Sequence, residues 1–488
     1  MPCFKRQSRS KCKFNNLRCE TPLCYSARRF LFANRLLLSL SNTVLLDLSV
    51  WVFCVVALLA FARLSVTHPA TSYLIFHGWF VFARSVAILN GAPTLFSWRG
   101  GDPVSGTEIC HAVLLADAAL MAMTCAWILA ANRYTARGES VSDFEAMPLR
   151  RDIVQVVAAF VIPLGGIALL LWSKVPGFDG PQFAASWAGS NWAVVAQSWV
   201  GLGLLALIYF YGFRLVLIAP FAAYLALAVY QGNFRFRLLI PAILLVQIYV
   251  DRRGKRWPPL LACVVLFACA ILFFPLKGIG QALQSGAEPA AIWRAAEHEI
   301  TDVFRGTHPD EMVLDQFASA LTLADQHGKL FLGKTYAGIL TVAIPREWWP
   351  EKPGLADFEK EISTAARPVA ADGMVVTMLG EFYVNFSYPG VILLSFVVAY
   401  VLGTAFHAVY RRSYFTLARF AYLLVACNLI EVYRDGLVSL FVFVVINMMP
   451  LTLIVLLHLL FRYPAPRYLP ILQTARVRQR SSQEQPVA

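Results

Sequence analysis

Residues 110–131 read CHAVLLADAALMAMTCAWILAA, 22 positions in which Asp117 is the only charged side chain. At 1.5 Å per residue a helix of that length spans about 33 Å, enough to cross a hydrocarbon core of about 30 Å. Equally clear apolar runs occupy 192–212, 388–408 and 437–461, and others are read at 44–62, 72–90, 153–172, 214–231, 235–250, 259–275 and 415–433. Composition agrees. The 488 residues are 58% hydrophobic and 15% charged, with a mean hydropathy of +0.60, more apolar than a soluble domain usually is. The pattern predicts an all-α, polytopic integral membrane protein of roughly 11–12 transmembrane helices.

Lys and Arg in short loops set the expected orientation, because cytoplasmic loops retain positive charge. Arg252, Arg253, Lys255 and Arg256 form one basic loop, Arg411 and Arg412 a second, and Arg133, Arg137, Arg150 and Arg151 a third. Arg462, Arg467, Arg476, Arg478 and Arg480 belong to the C-terminal tail. The chain thus divides into a basic tail 1–35, a membrane region 36–275, a large external loop 276–387, a second membrane region 388–462 and a basic cytoplasmic tail 463–488. The same count leaves the N-terminus outside, whereas its Lys5, Arg6, Arg9, Lys11, Lys13, Arg18, Arg28, Arg29 and Arg35 argue for inside. A tight helical pair, or a surface helix leading into a span, within 30–62 would reconcile the two.

The net charge of +13 sits mostly beside spans, where it meets anionic lipid, so nucleic acid is not an expected partner. Cys3, Cys12, Cys19 and Cys24 crowd the N-terminal tail without a C-x-x-C pair or a histidine among them, so they do not read as a zinc site. Asn385-Phe386-Ser387 matches a glycosylation sequon, but it abuts a predicted span. Residues 328–335, GKLFLGKT, match the phosphate-binding P-loop pattern literally. That chemistry needs a strand before it and a flexible glycine turn within it. Here Val313, Phe317 and Leu321 predict an amphipathic helix before it, and Lys329, Leu330, Phe331 and Leu332 fill the turn with bulk. The match reads as accidental.

The chain beyond Lys334 is more informative: GKTYAGILTVAIPREWWPEKPG, and then GEFYVNFSYPG at 380–390, where it returns to the membrane. With GNFRFR at 232–237 and YRDG at 433–436, this resembles the bacterial polysaccharide repeat-unit polymerases of the O-antigen (Wzy) type over roughly residues 70–460. The resemblance implies a GT-C-like fold in the bacterial inner membrane with a large periplasmic loop. It also implies glycosyl transfer from a polyprenyl (undecaprenyl) pyrophosphate carrier onto a new lipid-linked unit. A chain-length regulator and a flippase are the partners implied beside membrane lipids.

Such a transfer needs a base for the acceptor hydroxyl and fixed cations for the pyrophosphate leaving group. Arg235, Arg237 and Arg434 lie at external membrane boundaries and suit the second task, since a guanidinium fork binds two phosphate oxygens; interfacial snorkelling is the plainer alternative. Glu381 is the candidate base, or else the partner of one of those arginines. Tyr383 and Asn385 can hydrogen-bond sugar hydroxyls. Lys334, Arg346 and Lys352 add cations to the external loop, and Trp348 and Trp349 either stack on sugars or anchor the loop. Arg84, seven residues beyond His77 in one apolar run, is expected to share a helical face with it and to meet substrate in a polar cavity. Asp47, Asp117 and Glu431 raise the same expectation, Glu431 also being spaced to hold Arg434. Glu297 and Glu299 diverge on a helix and do not suit shared metal ligation. No cofactor is expected, and a metal-free, arginine-based site is favoured. A ligase acting on finished polymer, or a transporter of lipid-linked glycan, are the rival functions; the transporter is expected to show internal repeats, broken helices and midplane substrate residues.

Overall fold

The structure, a computed structural model, describes residues 39–94, 103–136, 187–230, 236–273, 286–306, 311–327, 330–341, 376–410 and 417–438, together with positions 275, 279, 282, 308, 349, 444, 448, 449, 451 and 452. Among the described residues the fold is all-helical. The helices are α1 (Leu40–Phe61), α2 (Pro69–Leu89), α3 (Gly106–Ala136), α4 (Trp187–Tyr211), α5 (Leu215–Tyr230), α6 (Phe236–Arg252), α7 (Leu260–Phe273), α8 (Pro289–Arg305), α9 (Val313–His327), α10 (Lys334–Thr341), α11 (Met378–Tyr410) and α12 (Leu417–Asp435). Four of them, α1, α2, α3 as far as Tyr134 and α11, are long and apolar enough to cross a membrane. Helices α4, α5, α6, α7 and α12 overlap the runs predicted around 192–212, 214–231, 235–250, 259–275 and 415–433, while 153–172 and most of 437–461 lie outside the described residues.

Helix starts obey local chemistry. Ser39 caps α1 by accepting the Asn42 N–H. Pro69, which lacks an N–H to leave unsatisfied, opens α2 behind His68, whose Nδ1 accepts the Ala70 N–H at 3.1 Å. Thr377 accepts the Gly380 N–H at the head of α11. Of the two arrangements expected within 30–62, the tight pair is corrected over the described residues, since Leu40–Phe61 is one continuous helix capped at Ser39. Residues 1–38 lie outside the described residues.

Side-chain contacts fix the direction of each helix. Asp47 meets His77, and Trp51 donates to the Leu74 carbonyl, so α1 and α2 are antiparallel. Tyr388 bonds His111 and Tyr400 bonds Arg133, so α11 runs parallel to α3. Tyr422 and Tyr433 donate to the Thr67 and Pro69 carbonyls, so α12 runs with α2. One end of the bundle therefore collects Arg84, the start of α3, the start of α11, the end of α12 and the loop helices α8–α10. The opposite end holds the basic turn after α6, where the Arg256 carbonyl accepts the Val66 N–H and the buried pair Arg419–Asp251 (2.6 Å) ties α12 to α6. Two apolar cores result. One joins α1, α2, α3, α9, α11 and α12, and the other joins α4, α5 and α6 to the far half of α12 and the tail of α11. Helix α12 contributes to both and bolts them together.

Among the described residues two helices depart from regular α-helical geometry. The second changes to π-helical pitch over His77–Ala83. In α11 Ser387 adopts φ 57, ψ −155, a left-handed φ that non-glycine residues rarely adopt, and separates a short segment 378–386 from the long span beyond.

Candidate functional site

Two of the sequence segments from which the family likeness was drawn, GEFYVNFSYPG and YRDG, meet at the loop end of the bundle. Glu381, on the first turn of α11, is 3% exposed, and its Oε2 accepts the Leu437 N–H at 2.6 Å. The turn it grips is YRDG. Gly436 has φ +100, and a Cβ there would stand 2.8 Å from Glu381 Oε2, so only glycine allows this approach. Arg434 lies two residues before that glycine, partly exposed, with Nη1 3.4 Å from Asp435 Oδ1. The bond to Leu437 thereby brings Glu381 to the turn that carries Arg434, 53 positions away in sequence.

The GKLFLGKT stretch packs on the same segment. Phe331 and Leu332 donate their N–H groups to the Val384 and Asn385 carbonyls at 3.1 and 3.2 Å. Asn385 Oδ1 accepts the Gly333 N–H at 2.8 Å, and its Nδ2 donates to Thr335 Oγ1 (2.7 Å) and the Glu381 carbonyl (2.8 Å). Leu332 (φ 49) and Gly333 (φ 88) turn the chain against α11, and Lys334 begins α10, exposed. The helix expected before this stretch is present as α9, with Val313, Phe317 and Leu321 buried. The loop binds a helix through its amides and has no strand before it, so phosphate-cradle geometry does not form.

Several side chains play parts other than those expected. Asn385 is fully buried with both its donors and its acceptor engaged by protein, which makes it a positioning residue for the loop and not a sugar contact. Arg84 is likewise turned inward. Its Nε and Nη2 form a bidentate pair with Asp315 (2.7 and 2.9 Å), Nη2 also donates to the Pro93 carbonyl, and Nη1 donates to the Gly306 carbonyl. The substrate role expected of Arg84 is corrected to one of docking: it clamps α8 and α9 onto the span. The shared face predicted for Arg84 and His77 also gives way, because the π-helical turn between them changes the spacing on which that face depended. Tyr383 donates to Asp325 Oδ1 at 2.5 Å, and its ring meets Tyr388 edge-on at 5.1 Å.

Other expected residues are seen only in part. Arg237 lies in the first turn of α6, which starts at the loop end; nothing of its side chain is described. Arg235, Arg346 and Lys352 lie outside the described residues. Trp349 is exposed.

Near Arg84, burial pushes the Glu311 carboxyl up from its ordinary 4.5 to about 7, against the opposing pull of the Arg84 guanidinium. A carboxyl whose pKa is raised in the folded state opposes folding progressively as pH climbs from about 4.5 to about 7, then by a constant amount. The unfolding midpoint is accordingly expected to be higher at pH 5 than at pH 8. Glu311→Gln should raise the midpoint at pH 8 and flatten that slope; a variant with the wild-type slope would show that the pH dependence arises elsewhere.

Among the described residues a single group of three has metal-ligating geometry, Asp47, His77 and Asp117, buried between α1, α2 and α3. The sequence offered each as an ionisable residue in an apolar run; nothing in the spacing tied them together. In comparisons with known proteins, no family model, curated protein or solved structure matches this chain.

Proposed function

We propose that this chain polymerises polyprenyl-pyrophosphate-linked repeat units into a surface polysaccharide, at the end of the bundle where Glu381 and Arg434 lie. The observation that carries the reading is the hydrogen bond between Glu381 and the YRDG turn, which unites two of the four segments from which the family likeness was drawn. In the proposed reaction the sugar hydroxyl of the incoming unit attacks the anomeric carbon of the growing chain. The bond from that carbon to the pyrophosphate oxygen breaks, and the leaving group departs with the electron pair. Glu381 receives the hydroxyl proton, and Arg434, with Arg235 and Arg237, holds the phosphates. Lys334, Arg346, Lys352 and Tyr383 are assigned to binding the glycan and its carrier. In this reading the protein is a GT-C-like inner-membrane enzyme of roughly 11–12 spans, with the 276–387 loop in the periplasm.

Glycan profiling of a deletion strain tests the activity. Single repeat units are expected where the wild type shows a ladder; complete loss of glycan would favour transport, and normal-length polymer that stays on its lipid carrier would favour ligation. Transport has one observation of its own, the helix broken at Ser387. Orientation is tested separately. In a cysteine-free background, Lys334→Cys in intact cells is expected to react with a thiol reagent that crosses only the outer membrane, since the basic turn 251–257 occupies the opposite end. Labelling only after lysis would reverse the assignment.

A further inference from the structure

We infer that Asp47, His77 and Asp117 form a binding site for one divalent transition-metal ion of the zinc class, set within the membrane-spanning bundle. The three side chains come from three different helices, and one ligand atom from each lies within 4.8 Å of the others. His77 Nε2 stands 2.8 Å from Asp47 Oδ1 and 3.5 Å from Asp117 Oδ1. Around a tetrahedral zinc with bonds of about 2.0–2.1 Å, ligand atoms are separated by roughly 3.3–3.4 Å. The two separations from His77 straddle that value and the two carboxylates stand within 4.8 Å of each other, so a small rearrangement of side chains brings all three into ligation.

Burial and charge point the same way. Asp47 and His77 are 0% exposed and Asp117 4%. Asp47 Oδ2, His77 Nδ1 and both Asp117 oxygens are buried without a hydrogen-bond partner, as is the phenol oxygen of Tyr73, whose ring centroid is 6.1 Å from that of His77. Unsatisfied polar atoms are rare in protein interiors, and a charge within a bilayer is costly unless balanced. An imidazolium offsets one carboxylate and leaves the second uncompensated. A divalent cation offsets both and takes a neutral imidazole as its third ligand. The donor set disfavours the hard alternatives: calcium and magnesium favour six or more oxygens or retained water, whereas one imidazole and two carboxylates in a buried site suit zinc and its neighbours.

The local fold explains why His77 can take this position. The π-helical stretch begins at His77, and such wide turns recur where a helix must aim a side chain off its regular face. Such an ion would also hold α1, which is largely exposed along its outer side at Leu45, Leu46, Phe53 and Val56 and lies at the margin of the bundle.

The test uses the full chain in detergent, purified without a histidine tag, stripped with chelator and titrated with zinc chloride. To keep tail thiols from competing, Cys3, Cys12, Cys19 and Cys24 are replaced by Ser in parallel. One zinc per chain by elemental analysis is expected in both forms, with a rise in the unfolding midpoint on adding zinc. Cobalt substitution should give the visible absorption of a tetrahedral ion. Asp47→Asn, His77→Gln and Asp117→Asn should each weaken zinc binding by about 100-fold or more, since loss of even an outer-shell partner costs 10–100-fold, whereas exposed His298→Ala should not. Absence of both bound zinc and the stability increment in the unmutated chain would overturn the inference, whether or not the variants fold. So would undiminished binding in all three ligand variants.

Discussion

Arg84→Ala is expected to lower stability by about 3–5 kcal/mol, the cost of leaving one partner of a buried ion pair without the other. The arginine is 2% exposed and Asp315 0%, and the pair joins a span to a loop helix 231 positions away. Truncation also frees the carbonyls of Gly306 and Pro93. The loss should appear first as release of α8 and α9, read as protease cleavage within 286–327 under conditions where the spans remain intact. Lysine should rescue little, because a point charge cannot reproduce a fork with two parallel bonds. The decisive comparison is Arg84→Met with Asp315→Leu: if the pair acts as argued, the double variant is more stable than either single one. Equal cleavage in wild type and Arg84→Ala would remove the arginine from the docking role.

The second large effect concerns Glu381. Its Oε2 accepts the Leu437 N–H, and a glutamine can present its amide oxygen in the same place, so Glu381→Gln preserves the grip on the YRDG turn while removing the base. Polymer formation is expected to fall by about 10²–10³, a loss typical of removing one transition-state interaction, with membrane levels and unfolding midpoint close to wild type. Glu381→Ala should lose activity and also stability, since it leaves the turn ungripped. Arg434→Ala should reduce polymer by a similar factor, with partial recovery in Arg434→Lys. A wild-type glycan ladder in Glu381→Gln, at normal protein level, would reduce Glu381 to a clasp for the turn and remove the base from the proposed reaction.

The sequence by itself determined the class of the fold. Apolar length is a local quantity, and a run such as 110–131 has one low-energy state in a bilayer because every backbone polar group must be satisfied within its own helix. The helix before GKLFLGKT was legible for a similar reason: Val313, Phe317 and Leu321 recur at helical spacing and are buried together. The meeting of GEFYVNF with YRDG was visible only as two motifs. Their contact depends on α11 and α12 packing so that a glycine at φ +100 admits a carboxylate, which no spacing rule encodes. Partnership was the least legible feature. An ionisable residue in an apolar run signals a buried partner, and Arg84, Asp47, His77 and Asp117 all gave that signal, but not which residue answers it. Tertiary structure decided, by the π-helical turn that parts Arg84 from His77 and by the packing that sets Arg84 against Asp315 and His77 between two aspartates.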